Sequence, residues 1–299
     1  MCVDANRVIL HVGWPKTATT SLQSQLRSYP NLAGKPFGRD GALLARKVVD
    51  DIARSSNWRP TALEELIVAS WHDQSLPVLL SNESLIEMPQ REWFDDLVGP
   101  FEIARRLAQC EADKRVLMTL RDPRNLLRST WLHHVREGRV QSYPNFLARI
   151  LDDRKCDRGS FSIGLLGNMY GDLFGYDNVA IAFSEDFAND PIRFWERFAE
   201  FFGIKTFAPD LTNEGPRLNE TTLGPIRFEM SVNRLLNVYG RTLRQGNTRE
   251  LRRAVTRRVS RRLNVDHSKF FSRFSTLETQ LVSELTDDVA SLRRRFTVL

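Results

Sequence analysis

The sequence predicts an α/β fold, a parallel β-sheet flanked by helices, and three observations carry that prediction. Short apolar runs near 7–12, 77–81, 114–120 and 178–183 are each followed by residues at helical spacing. Such alternation calls for parallel pairing, because a helical crossover returns the chain to the edge it left. Each run also breaks into polar or charged residues at its carboxyl end, where open parallel sheets bind their ligands. Finally, 299 residues, 41% of them hydrophobic, suffice to bury one large core. The chain therefore reads as one domain over 1–299, with 206–299 mostly helical.

The first run, Val8-Ile9-Leu10-His11-Val12, breaks at Gly13-Trp14-Pro15 and continues as Lys16-Thr17-Ala18-Thr19-Thr20-Ser21. A strand that turns tightly into a helix aims the first helical N–H groups above the sheet, where they favour negative charge. Lys16 adds a full positive charge and the hydroxyls add donors. The competing reading is an ordinary strand-to-helix turn in which Thr17 and Thr19 cap the helix and Lys16 is solvated.

The third run ends in Arg121-Asp122-Pro123, and Pro123 is suited to the first turn of a new helix because its missing N–H leaves no bond unmade. Ser129 follows Arg121 by about two helical turns. A guanidinium fork and a hydroxyl at that spacing suit one phosphate. Otherwise, Arg121 pairs with Asp122 or another nearby carboxylate and Ser129 is an exposed helical residue.

Together the two segments resemble the PAPS-dependent sulfotransferases, which transfer sulfate from 3′-phosphoadenosine 5′-phosphosulfate. The resemblance rests on Pro15-Lys16-Thr17-Ala18-Thr19-Thr20, similar to the Pro-Lys-x-x-Thr-Thr loop of that family, and on Arg121 to Ser129, similar to its Arg-x7-Ser motif. Two motifs in the right order and at a similar separation are far more specific than one. The match covers about 7–21 and 114–134 directly and looks like the soluble, bacterial, carbohydrate-sulfating type. It implies a P-loop-NTPase-like sulfotransferase fold, PAPS as donor, PAP (3′,5′-ADP) as product and no metal. It also implies roles. Residues Thr17, Ala18, Thr19, Thr20 and Ser21 would hold the 5′-phosphate, Lys16 would neutralise the oxygen between phosphate and sulfate, and Arg121 and Ser129 would bind the 3′-phosphate.

Sulfuryl transfer also needs a base for the acceptor hydroxyl. Ser81-Asn82-Glu83-Ser84-Leu85 follows the second run and looks like the Ser-x-Glu version found in carbohydrate- and tyrosine-modifying members, which makes Glu83 the candidate. The other reading places Glu83 in the first turn of a helix starting near Ser84, where it complements the dipole. His133 and His134, on the helix after Arg121, compete as bases or as polar residues near an acceptor, although a histidine on a helix is more often a satisfied core or surface residue. His11 reads as structural, and His72 carries no motif.

Ser184-Glu185-Asp186-Phe187 follows the fourth run. Asp190-Pro191 then opens an aromatic stripe, Phe194, Trp195, Phe198, Phe201 and Phe202, which ends at Gly203 and reads as core. Residues 206–224 form a long loop suited to closing over donor or acceptor. Of the net charge of +6, the 241–262 segment, with nine Arg and one Glu, carries +8 and leaves −2 on the rest. It reads as an amphipathic helix with an Arg-rich face, which is either simply solvated or able to attract an anionic acceptor, an acidic membrane surface or a nucleic acid. The absence of stacking aromatics speaks against the last. Leu277, Leu281, Leu285, Val289 and Leu292 mark a closing helix near 276–296.

Cys2, Cys110 and Cys156 are an odd number without metal-ligand spacing and read as reduced thiols. No apolar stretch approaches the roughly 20 residues of a membrane span, and no signal core precedes Arg7, so the expectation is a cytoplasmic protein. The expected acceptor is a small molecule or a glycan, with an anionic one among the options, and the pattern sets no oligomeric state. Two alternatives remain. A P-loop kinase using ATP and Mg²⁺ would need a glycine where Pro15 stands and an Asp closing the second strand. A non-catalytic anion- or nucleic-acid-binding protein would use the Arg-rich segment.

Overall fold

The computed structural model describes residues 7–14, 22, 25–26, 52, 58–61, 78–81, 85–86, 98–110, 112–136, 139–155, 161–204 and 271–299. Five strands form one parallel sheet: β1 (Arg7–Gly13), β2 (Val78–Ser81), β3 (Asp113–Leu120), β4 (Val179–Phe183) and β5 (Thr297–Val298), in the spatial order β2-β1-β3-β4-β5. The helices whose bounds fall among the described residues are α1 (Pro100–Gln109), α2 (Pro123–Arg136), α3 (Tyr143–Lys155), α4 (Ile163–Phe174), α5 (Ser184–Asn189), α6 (Pro191–Phe202) and α7 (Ser275–Arg295). The expected α/β class is therefore observed, and four expected strands lie within a residue of their sequence-based bounds.

The chain divides into two compact units. The first comprises Met1–Asp122, Asp153–Leu218 and Leu285–Leu299, and the second Pro123–Asp152 and Asn219–Glu284. The whole sheet belongs to the first. Its register pairs Leu10 with Leu80 and Val116, and Met118 with Ile181. Strands buried on both faces read as near-continuous apolar runs, which is why the strand signal in Val8–Val12 is strong.

One face of the sheet, with Ile9, Leu79, Leu117, Ala180 and Ala182, packs on the aromatic stripe of α6 and on Leu22 and Leu26. The sequence sets α6 closely. Asp190 accepts from the Arg193 N–H at 3.1 Å, and Pro191 occupies the first turn. Gly203, at φ 64, adopts the left-handed conformation that ends the helix, its N–H returning to the Ala199 and Glu200 carbonyls.

Within the same unit α4 packs closely on its neighbours through glycines. A methyl group at Gly167 would lie 2.6 Å from Leu292 Cδ2 and one at Gly171 would lie 2.6 Å from the Tyr176 ring. Asp288 on α7 accepts from the Gly164 N–H at 3.1 Å and from Arg154 at 2.8 Å, placing a carboxylate at the α4 N-terminus. Leu285, Val289 and Leu292 bury the apolar stripe expected of the closing helix. Strand β5 follows, Leu299 N–H donating to the Ile181 carbonyl at 2.9 Å.

The second unit has an aromatic interior. Trp131, Tyr143 and Phe271 meet with ring centroids 4.9–5.9 Å apart, and Trp131 donates to the Gln141 carbonyl. Among the described residues no helix is long and apolar enough to cross a membrane. The 206–224 loop, the Arg-rich 241–262 segment, His72, Cys2 and Cys156 lie outside the described residues; Cys110 is a buried thiol whose Sγ donates to the Arg106 carbonyl at 3.5 Å.

Candidate functional site

Strand β1 delivers the chain to its carboxyl end at Gly13, and the Trp14 N–H extends the ladder by donating to the Thr119 carbonyl at 3.2 Å. Lys16, Thr17, Ala18, Thr19, Thr20 and Ser21 lie outside the described residues. The chain is next described at Leu22 and Leu26, both helical and buried, with Gln25 accepting from the Trp195 indole at 2.8 Å. The described residues on either side are thus strand up to Gly13 and helical at Leu22, Gln25 and Leu26.

Arg121 stands one residue beyond β3, half-buried, at the same edge of the sheet. Its Nε lies 3.8 Å from Glu185 Oε1. The Asp122 N–H donates to that oxygen at 3.2 Å, and the Ser184 hydroxyl donates to the other at 3.0 Å. Among the described residues the carboxylate facing Arg121 is therefore Glu185, in the first turn of α5, rather than Asp122. About a third of each side chain is exposed, so water screens a pair of this kind to about 0–1 kcal/mol.

A second polar group crosses the sheet beneath this edge. His11 Nδ1 lies 2.6 Å from Ser81 Oγ and Nε2 lies 3.4 Å from Thr119 Oγ1, joining β1 to β2 on one side and to β3 on the other. All three residues are buried. Burial lowers the His11 pKa to about 3, so the ring is neutral, with one nitrogen donating and the other accepting. Asn82, Glu83 and Ser84 lie outside the described residues; Ser81 closes β2 two positions before Glu83.

Ser129 belongs to the second unit, on α2, half-buried, its hydroxyl donating to the Leu126 carbonyl at 3.2 Å. That is a local helical bond which a hydroxyl exchanges readily. His133 is half-buried. His134 is buried edge-on against Phe146, with centroids 5.6 Å apart. Burial, then Arg139, Arg149 and His133, bring its pKa to about 3. His134 is thus an interior residue, in line with the core reading of a helical histidine.

No known family description matches the sequence, and no curated protein is significantly similar to it. Among solved structures, the chain is similar to the sulfotransferase from Alicyclobacillus acidocaldarius, with TM-score 0.47 and 20% identity over 78% of this chain and 95% of that one. It is also similar to mouse sulfotransferase SULT7A1 complexed with PAP, with TM-score 0.41 and 14% identity over 96% of this chain and 89% of that one. For the sulfotransferase domain from the Synechococcus PCC 7002 olefin synthase the TM-score is 0.43 and the identity 14%, over 94% of each chain.

Among the described residues no group of three or more His, Cys, Asp and Glu is arranged to hold a metal ion. Glu185 is the residue that sequence reasoning missed. Its signal is present in the chain, since a carboxylate just beyond β4 must lie at the edge that receives Arg121, but an acidic turn after a strand reads first as a connection.

Proposed function

We propose that this chain is a sulfotransferase in which 1–299 acts as one catalytic domain, moving the sulfuryl group of PAPS to an acceptor hydroxyl, on a carbohydrate by the Ser-x-Glu likeness. The observation that supports the reading is that β1, β2 and β3, the strands after which the three motif-bearing segments follow in sequence, are parallel neighbours in the sheet. The Lys16 segment leaves β1, the Glu83 segment leaves its neighbour β2, and Arg121 leaves its other neighbour β3. Because β1, β2 and β3 run parallel, the chain leaves each of them at the carboxyl edge, where such sheets bind anionic ligands.

In this reading the N–H groups and hydroxyls of Thr17 to Ser21 hold the 5′-phosphate, and Arg121 and Ser129 hold the 3′-phosphate. Glu83 takes the proton of the acceptor hydroxyl as its oxygen bonds to sulfur. The bond from sulfur to the bridging oxygen breaks, and Lys16 neutralises the charge that develops on the departing 3′,5′-ADP. The resident chemistry of the edge suits this task, because the pair between Arg121 and Glu185 is long and screened by water. The kinase alternative lacks both the glycine before Lys16 and an Asp at the end of β2, which closes with Ser81.

Calorimetric titration with 3′,5′-ADP and, separately, with ATP plus Mg²⁺ tests the reading. Tight, metal-independent binding of 3′,5′-ADP with weak binding of ATP is the expected result. Preference for ATP and Mg²⁺ would overturn it.

A further inference from the structure

The apolar run of β1 is interrupted once, by His11, and the interruption is costly. A buried imidazole gives up its hydration and is tolerated only when both nitrogens find partners. Leucine at the same place would join Ile9, Leu79 and Leu117 on that face at no such cost. The partners are themselves polar residues in buried strand positions: Ser81 is the last residue of β2 and Thr119 the penultimate residue of β3. Ser81 pairs directly with His11 in the β1–β2 ladder. Thr119 pairs with Gly13, which brings no side chain to that position, and so is reached diagonally by the ring.

We propose that His11 is a positioning residue that locks the carboxyl ends of β2, β1 and β3 in one register, and with them the points from which the Glu83, Lys16 and Arg121 segments leave the sheet. Strands of Val, Ile and Leu have faces that look alike after a slip of two residues, so the backbone ladder alone specifies register weakly. A polar triad satisfied in only one alignment removes that degeneracy. Ser81 stands two positions before Glu83, Thr119 two before Arg121, and His11 five before Lys16, so an error at the triad passes directly to all three. This inference rests on the sulfotransferase reading of those segments.

The test compares His11→Leu, His11→Gln and Leu79→Ala with the unaltered protein by calorimetric titration with 3′,5′-ADP, alongside thermal unfolding. His11→Leu is expected to weaken binding by about tenfold or more, while His11→Gln, which keeps a donor and an acceptor, stays within about threefold. Leu79→Ala, which loosens the same face without touching the ring, loses thermal stability and keeps its affinity. If His11→Leu does not fold, Ser81→Ala and Thr119→Val take its place, each expected to weaken binding severalfold, and together by less than the product of the two effects. Folded His11→Leu, or the folded Ser81 and Thr119 variants, binding as tightly as the unaltered protein would overturn the positioning role and leave the donor reading intact. Affinity that falls in step with thermal stability across all variants, Leu79→Ala included, would likewise overturn the positioning role alone. Failure of the unaltered protein to bind 3′,5′-ADP would overturn both.

Discussion

Arg128 and Glu278, 150 positions apart in the chain, meet as a two-pronged pair inside the second unit, Nε to Oε1 at 2.6 Å and Nη2 to Oε2 at 2.7 Å. The Tyr143 hydroxyl donates to Oε1 at 2.7 Å, and the guanidinium lies 4.7 Å from the centre of the Phe271 ring. Burial pushes the Glu278 carboxyl up, but Arg128 and Tyr143 outweigh it and hold it below the ordinary carboxylate value. Glu278→Ala should therefore cost about 3 kcal/mol, because it leaves Arg128 and Tyr143 without the partner that repays their desolvation. Because the folded pKa is depressed, the pair stabilises above the ordinary value and is lost as pH falls through the folded one. Urea midpoints for the unaltered protein and Glu278→Gln, compared between pH 7 and pH 3, should converge at the acid end.

Two buried histidines give a separate acid sensitivity. His11 and His134 both have pKa values near 3, chiefly through burial, against an unfolded value of 6.5. Below 6.5 the unfolded chain takes up protons that the native state refuses, so stability is whole above 6.5 and falls as pH drops toward 3. Each histidine contributes up to about 1.4 kcal/mol per pH unit. Thermal unfolding between pH 7.5 and pH 5 measures the slope, which should flatten in His11→Gln. Imidazole proton shifts of both residues should stay level through pH 6.5.

Gly171→Ala probes the close packing of α4. Alanine gains about 1 kcal/mol of helix propensity over glycine, but its methyl would meet the ring of Tyr176, which rests 5.0 Å from Phe296, and overpacking of that kind costs about 1–3 kcal/mol. A net loss of stability is expected. Gly167→Ala should cost less, because the obstacle there is the movable end of Leu292.

At the sheet edge, Arg121→Ala should weaken 3′,5′-ADP by about 1.5–3 kcal/mol and 5′-AMP much less. Glu185→Gln removes the competing carboxylate and should tighten 3′,5′-ADP by a few fold at low salt, the gain shrinking as salt screens the pair. Titrations of both ligands at two ionic strengths decide these points. Equal losses for the two nucleotides in Arg121→Ala would leave the residue with a supporting role only.

Glu83→Gln should lower sulfuryl transfer about 10²-fold while sparing 3′,5′-ADP affinity. Single-turnover transfer from labelled PAPS, scored beside calorimetry, separates the two effects.

What could be read in the sequence followed distance along the chain. Strand β1 and the capped helix α6 are written in contiguous residues, from the Val8–Val12 run to Asp190, Pro191 and Gly203, and local rules recover them. Strand β5 escaped because two residues carry no period, and its place is set by the Ala180 and Ile181 ladder it joins. Glu278 looks like one more surface glutamate of an amphipathic helix, since its partner on α2 lies far away in sequence. At the candidate site the motifs located Arg121 at the edge, whereas the Glu185 carboxylate beside it depended on which strand neighbours β3. The segments of Lys16 and Glu83 lie outside the described residues.

The order β2-β1-β3-β4-β5 puts the first strand of the chain between two later ones, and His11 meets its partners 70 and 108 positions downstream. During synthesis β1 therefore emerges long before either neighbour exists, an apolar segment with both edges open. Closing such loops is slow, and the waiting strand is exposed to wrong pairings. Both edges of β1 are covered only once β3 has arrived, and the interval before it is when this strand most needs protection.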